Sequence, residues 1–96
     1  AALTLDPRFP EAWYMRAQAH ARIGDGTAAA RDLQEALRLE PRHWPALVGL
    51  SALQEQRGDA AGALRSLEAA LAINPRMPGG TERLRVLRRK AEGDPT

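Results

Sequence analysis

The chain has 96 residues, 44% of them hydrophobic and only 4% aromatic, with alanine and leucine supplying most of the apolar count, a composition suited to helices. It has no cysteine, so neither a disulfide frame nor a thiolate metal site can form, and no apolar run reaches the about 18 residues of a membrane helix, so no membrane insertion is expected. Thirteen Arg and one Lys against 12 acids leave a net charge of +2, and the excess is concentrated: Arg76 to Lys90 holds six basic residues and one acid, Glu82.

In chain order, residues 1–5 read as the tail of a helix stopped by Asp6-Pro7, the close of an earlier unit in a chain that is then a fragment of something longer. Pro10 opens the next helix, where its missing N–H is no loss. From Glu11 to Ile23, the residues Ala12, Trp13, Ala17, Ala19, His20 and Ile23 recur at spacings of three and four, which predicts an amphipathic helix. Gly24 supplies the left-handed residue that ends it, and Asp25 or Thr27 offers an oxygen to cap a second helix. That helix runs to Leu39 with Ala29, Leu33, Ala36 and Leu37 on one face, and Pro41 closes the unit. Pro45 starts a third helix striped by Leu47, Leu50, Ser51 and Leu53. Gly58-Asp59 turns the chain, and Ala63, Leu67, Ala70 and Leu71 face back from a fourth that ends before Pro75. After Met77-Pro78-Gly79-Gly80, a last helix from about Thr81 to Ala91 sets Leu84, Leu87 and Ala91 apart from its basic residues.

This order contains a period. Ala36-Leu37-Arg38-Leu39-Glu40-Pro41 returns 34 residues on as Ala70-Leu71-Ala72-Ile73-Asn74-Pro75, and 34 residues back stands Ala2-Leu3-Thr4-Leu5-Asp6-Pro7. Gly24-Asp25 returns as Gly58-Asp59, Ala29 as Ala63 and Leu33 as Leu67. A fixed period of about 20 to 50 residues marks a solenoid, built from units that cannot bury their apolar face alone. The expected organisation is one domain over residues 1–96: the end of an earlier unit at 1–7, full units at 10–43 and 44–77, a capping helix at 78–92 and a tail at 93–96. A stack must end on a helix with one wet face, which is the expected use of the basic run.

The residues at fixed places in each unit resemble the tetratricopeptide repeat. In the first unit they are Trp13, Arg16, Ala17, His20, Ala29, Leu33, Ala36 and Pro41; in the second, Leu47, Leu50, Ser51, Gln54, Ala63, Leu67, Ala70 and Pro75. Arg16 and Gln54 depart from the pattern. Ala17 against Ala29, and Ser51 against Ala63, are small enough for paired helices to cross closely, while Trp13, Leu33, Leu47 and Leu67 fill the space beside them. The resemblance implies an all-α, right-handed superhelix of antiparallel helix hairpins whose first helices line a concave groove for a peptide or a partner helix. The expected function is therefore a protein-binding scaffold without catalysis or cofactor. Projected onto that geometry, the groove carries Glu11, Tyr14, Met15 and Gln18, then Val48, Ala52 and Glu55, then Glu82, Arg83 and Arg89. Tyr14 is the expected anchor, because exposed aromatics concentrate binding energy. Relatives that clamp a chaperone's C-terminal carboxylate do so from places held here by Tyr14, Gln18, Gly49, Gly79 and Arg83; only Arg83 fits, so that ligand is not implied. A looser likeness to small bacterial envelope proteins, carried by Pro41-Arg42-His43-Trp44-Pro45-Ala46-Leu47, places the periplasm ahead of the cytoplasm.

Little in the sequence suggests chemistry. His20 and His43 lack the i, i+4 spacing of a metal pair; His20 stands where the repeat wants a core residue, and Ser51 stands at a small-residue place rather than beside a base. Gly24/Gly26 and Gly79-Gly80 lack the strand and further glycines of a nucleotide loop. The alternatives to peptide binding are an anionic or nucleic-acid surface read by Arg83 to Lys90, with nucleic acid the less expected partner, and a structural spacer or homo-oligomer module.

Overall fold

The computed structural model describes residues 6–93; the expected helix tail at 1–5 and the end of the tail at 94–96 fall outside the described residues. The described residues form five helices: α1 (Pro10–Arg22), α2 (Gly26–Leu39), α3 (Trp44–Gln56), α4 (Ala60–Ile73) and α5 (Gly80–Ala91). Each packs on the next, so two hairpins stack in line and α5 closes the end of a body 45 × 27 × 20 Å across.

The local chemistry repeats with the period. Gly24 and Gly58 take φ of +83° and +82°, and behind them the N–H groups of Asp25 and Asp59 return to the carbonyls of His20 and Gln54, each at 2.9 Å. This left-handed close frees the next residue to begin a new helix. Asp25, not Thr27, caps α2 by accepting from the Ala28 N–H at 3.1 Å, and Asp59 caps α4 by accepting from the Gly62 N–H at 2.9 Å. α3 begins at Trp44, one residue before Pro45, because His43 Nδ1 accepts the Ala46 N–H at 3.2 Å and so serves as its cap. α5 begins at Gly80, one residue earlier than expected. A Cβ there would lie 2.7 Å from Leu71 Cδ2, so the absent side chain lets the start of α5 press on α4.

Ala17, Ala29, Leu33, Ala36, Ala46 and Leu53 form a buried core shared by α1, α2 and α3, and Ala63, Leu67 and Leu87 form a second under α4 and α5. Ser51 adds to its small size a bond across the hairpin: its buried Oγ donates to the Ala63 carbonyl at 2.7 Å. Several residues expected in the core lie at its margin or outside it. Pro41 and Pro75 are exposed, each beyond a helix end, so they terminate helices without packing. Trp13, Leu47 and Leu50 are half-buried, with Trp13 and Leu50 packed against the first core; Trp13 also donates its Nε1–H to the Pro7 carbonyl at 3.2 Å and carries the Arg16 guanidinium 5.0 Å above its ring. His20 is likewise half-buried, with Nε2 3.5 Å from Asp32.

Asp32 accounts for the departure at Arg16. Its carboxylate is 4% exposed inside the first hairpin, and Arg16 meets it with two hydrogen bonds of 3.0 and 2.8 Å. This pair holds the guanidinium above its ordinary pKa through the hydrogen bond. A 34-residue shift carries Arg16, His20 and Asp32 onto Leu50, Gln54 and Ser66. In the second hairpin Gln54 and Ser66 touch at 2.6 Å, and with its amide nitrogen toward α4 Gln54 also reaches the Gly62 carbonyl at 3.0 Å. Both hairpins thus carry a polar staple at one level, ionic in the first and neutral in the second.

Candidate functional site

The groove is built from three helices. Ala17 of α1, Ala29 and Leu33 of α2, and Gly49, Ala52 and Leu53 of α3 form the floor of an open depression of about 170 Å³. Its rim is Tyr14, Gln18, Ala21 and Gln56. The floor is deep because of what is missing: a Cβ at Gly49 would stand 3.2 Å from Leu33 Cδ1, so α3 approaches α2 with no side chain between them.

Tyr14 stands at the rim in a fixed pose. Its Oη takes the Gln18 amide N–H at 3.1 Å, and its ring lies 5.1 Å from that of His43, tilted by 53°. His43 is itself set: Nδ1 accepts from the Ala46 N–H, which leaves Nε2–H to donate to Glu11 Oε2 at 2.9 Å. Glu11, Tyr14 and Gln18 are therefore joined along one edge of the groove through a loop histidine.

Of the other residues expected on this face, Ala52 lines the depression and Val48 lies half-buried on α3. Met15 is 54% exposed and does not line it, although its counterpart 34 residues on, Gly49, does. Glu82 pairs with Arg85 one turn along α5 at 3.3 Å and not across the groove, and Arg89 is exposed on α5. Glu55 and Arg83 meet at 2.5 Å, and Lys90 closes on the other carboxylate oxygen of Glu55 at 2.6 Å. Ala21, Gly49 and Gln56 also belong to the depression, although no spacing or charge pattern singles them out.

Part of the positive charge of the basic helix is met by acids of α3, α4 and α5 itself. Besides the two cations on Glu55, Arg85 has Glu82, and Arg88 lies 3.9 Å from Glu68 of α4. The Lys90 hydrogen bond, then the charges of Arg83 and Lys90, hold the Glu55 carboxyl below its ordinary value of 4.5 against the opposing effect of burial. A carboxylate whose folded value is lower than its unfolded one stabilises the fold above the ordinary value, and that stabilisation is lost as pH falls through the folded value. Acidification below 4.5 is therefore expected to loosen α5, seen as faster amide exchange at Leu84 and Leu87. Glu55→Gln should flatten this part of the acid profile, and an unaltered profile would show that the cluster does not fasten the helix.

Among the described residues no group of three His, Cys, Asp or Glu side chains is placed to hold a metal ion, and no helix is long and apolar enough to cross a membrane.

The family model described as tetratricopeptide repeat matches residues 1–33 and, in a second overlapping match, 14–78. No curated protein sequence matches the chain. Among solved structures, a crystal structure of MamA protein superposes with a TM-score of 0.84 at 22% identity, over 91% of this chain and 48% of that one. A second MamA crystal structure gives 0.84 at 23% identity over 92% and 51%. The first TPR of Spaghetti (RPAP3), solved bound to the HSP90 peptide SRMEEVD, gives 0.84 at 23% identity over 91% and 69%. At such identities the likeness establishes the fold, an all-α stack of helix hairpins. The chain spans about half the length of the MamA chains it matches.

Proposed function

Since this chain belongs to the tetratricopeptide repeat family, whose fold is a protein–protein interaction module, we propose that it is a non-enzymatic scaffold that binds a peptide or partner helix in its concave groove. The observation that carries this reading is the open depression with an apolar floor from three helices and an uncharged polar rim that includes a fixed aromatic ring. Concave apolar surface with a few convergent polar groups is where binding energy concentrates.

Nucleic-acid binding by α5 is the weaker reading, because counterion release requires cations free to meet phosphates, and Arg83, Arg85, Arg88 and Lys90 already face carboxylates. The tail-carboxylate mode is also disfavoured: at the places that would grip such a tail stand Tyr14, Gln18, Gly49, Gly79 and Arg83, and Arg83 is engaged with Glu55.

The test is a selection of random dodecapeptides on the immobilised chain, followed by rebinding to variants. Peptides kept by the native chain should bind Tyr14→Glu/Gln18→Glu at least tenfold more weakly, with helical content unchanged by circular dichroism, and should bind Arg85→Glu/Arg88→Glu as before. Loss confined to the α5 variant, or retention on both, would remove the groove assignment.

A further inference from the structure

We infer that the groove has a single open subsite, in its first interval, and that this subsite takes one uncharged aliphatic or phenyl side chain of the bound peptide. The inference rests on the groove reading above and adds which part of the groove recognises what. Its basis is a comparison of the groove with itself. A 34-residue shift carries Ala21, Gly49 and Gln56, all lining the depression between α1 and α3, onto Glu55, Arg83 and Lys90 between α3 and α5. There Arg83 and Lys90 both donate to Glu55, at 2.5 Å and 2.6 Å on its two oxygens. The same place in successive units is therefore a hole in one and filled by an ion cluster in the other. The chain closes its second interval with its own side chains and leaves the first open.

The hole selects by size and by charge. A cavity of about 150 Å³ lined by aliphatic and aromatic groups is large enough for benzene, so a depression of about 170 Å³ accommodates a Leu, Ile, Met or Phe side chain. Its lining includes no ionisable group except the Tyr14 phenol. Of the acids expected on the groove, Glu11 is hydrogen-bonded by His43 and Glu55 meets two cations. An Asp, Glu, Lys or Arg side chain seated here would lose its water and gain no counter-ion, which is strongly unfavourable. The rim amides of Gln18 and Gln56 both donate and accept, which suits the backbone on either side of the anchor. Tyr14, fixed between Gln18 and His43, does not fold into the hole, so the site is formed before the ligand arrives.

The test uses the dodecapeptides selected on the native chain. Replacing each position in turn should reveal one apolar residue whose change to Ala weakens binding about 10- to 100-fold, with Asp or Lys there abolishing it. Ala52→Leu, and Ala21→Leu at the exposed rim where folding is not at risk, fill the hole and should weaken the same peptides at least tenfold. Glu55→Ala should leave the position of the anchor unchanged. If the peptides show no such residue, or tolerate both Leu variants, the inference falls while the groove reading stands. If an anchor appears only in Glu55→Ala, or moves there, the second interval is the recognising one and the assignment is wrong. If the Tyr14→Glu/Gln18→Glu variant keeps every peptide, the groove reading fails first.

Discussion

Arg16→Leu is expected to lower the free energy of unfolding by about 3–5 kcal/mol, and adding Asp32→Ser to that variant should restore most of the loss. The first half follows from burial. Asp32 is 4% exposed and its carboxylate is matched by two guanidinium hydrogen bonds, with His20 farther off at 3.5 Å. Removing one member of a buried ion pair strands the other, and the cost is dominated by the uncompensated charge left behind. The pair is asymmetric: Arg16 is 37% exposed, so Asp32→Ser alone frees a guanidinium that can turn to water and should cost only about 1–2 kcal/mol. The second half follows from the repeat itself. The second hairpin places Leu50 and Ser66 at these two positions and staples its helices with Gln54. The double variant gives the first hairpin the same pair, with His20 in place of Gln54. Urea denaturation of the four proteins completes a double-mutant cycle, in which the coupling between positions 16 and 32 should be about 2 kcal/mol or more. Additive losses would show that Arg16 acts through its stacking on Trp13 and not through Asp32.

This pair also marks where reading the sequence stops. The period, the glycine closes at Gly24 and Gly58, and the aspartate caps were visible because each is written in residues at most a few places apart. Asp32 was not visible, because amphipathic spacing reports apolar residues and a buried carboxylate looks like a misplaced surface residue until its partner is known. The partner lies 16 positions away and arrives only when α1 folds back on α2. A signal was nevertheless present: positions 16 and 32 differ together from Leu50 and Ser66, two departures in one hairpin that explain each other. The groove divides in the same way. Tyr14, Gln18 and Ala52 were placed on it by register, and all three line the depression. Ala21 and Gly49 are not legible in this way, because a hole is made by side chains that are short or absent and these carry no hydropathy signal, and Gln56 reads as an ordinary polar residue at a helix end. The basic stretch of α5 reads as a charged surface only while α3 and α4 are ignored; Glu55 and Glu68, distant in sequence, meet its cations.

Leu67→Ala is expected to cost about 3–5 kcal/mol, a large share of the about 5–15 kcal/mol that holds a domain folded. Leu67 is fully buried between Ala63 on its own helix and Leu87 of α5, with Leu64, Leu71 and Leu84 packed around that cluster. Collapse into the resulting void is resisted, since α3 and α4 already meet at Ser51 and Ala63, where the Ser51 Oγ bond to the Ala63 carbonyl fixes their separation. α5 is held in turn by the two cations on Glu55. Each kcal/mol should lower the Tm by roughly 4–8 °C at this chain length, and Leu64→Ala, truncating a half-buried neighbour, should cost roughly half as much. A loss under about 1 kcal/mol would take Leu67 out of the core. Where the loss is felt matters for function. In a stack each repeat packs only on its neighbours, and α4 and α5 reach α1 and α2 only through α3, so damage between α4 and α5 should speed amide exchange in those helices before it reaches α1 and α2. The open subsite is built from α1, α2 and α3 alone. Selected peptides should therefore still bind Leu67→Ala at temperatures where Leu84 and Leu87 already exchange freely, whereas simultaneous loss of binding and of protection in α5 would mean that the groove depends on the whole stack.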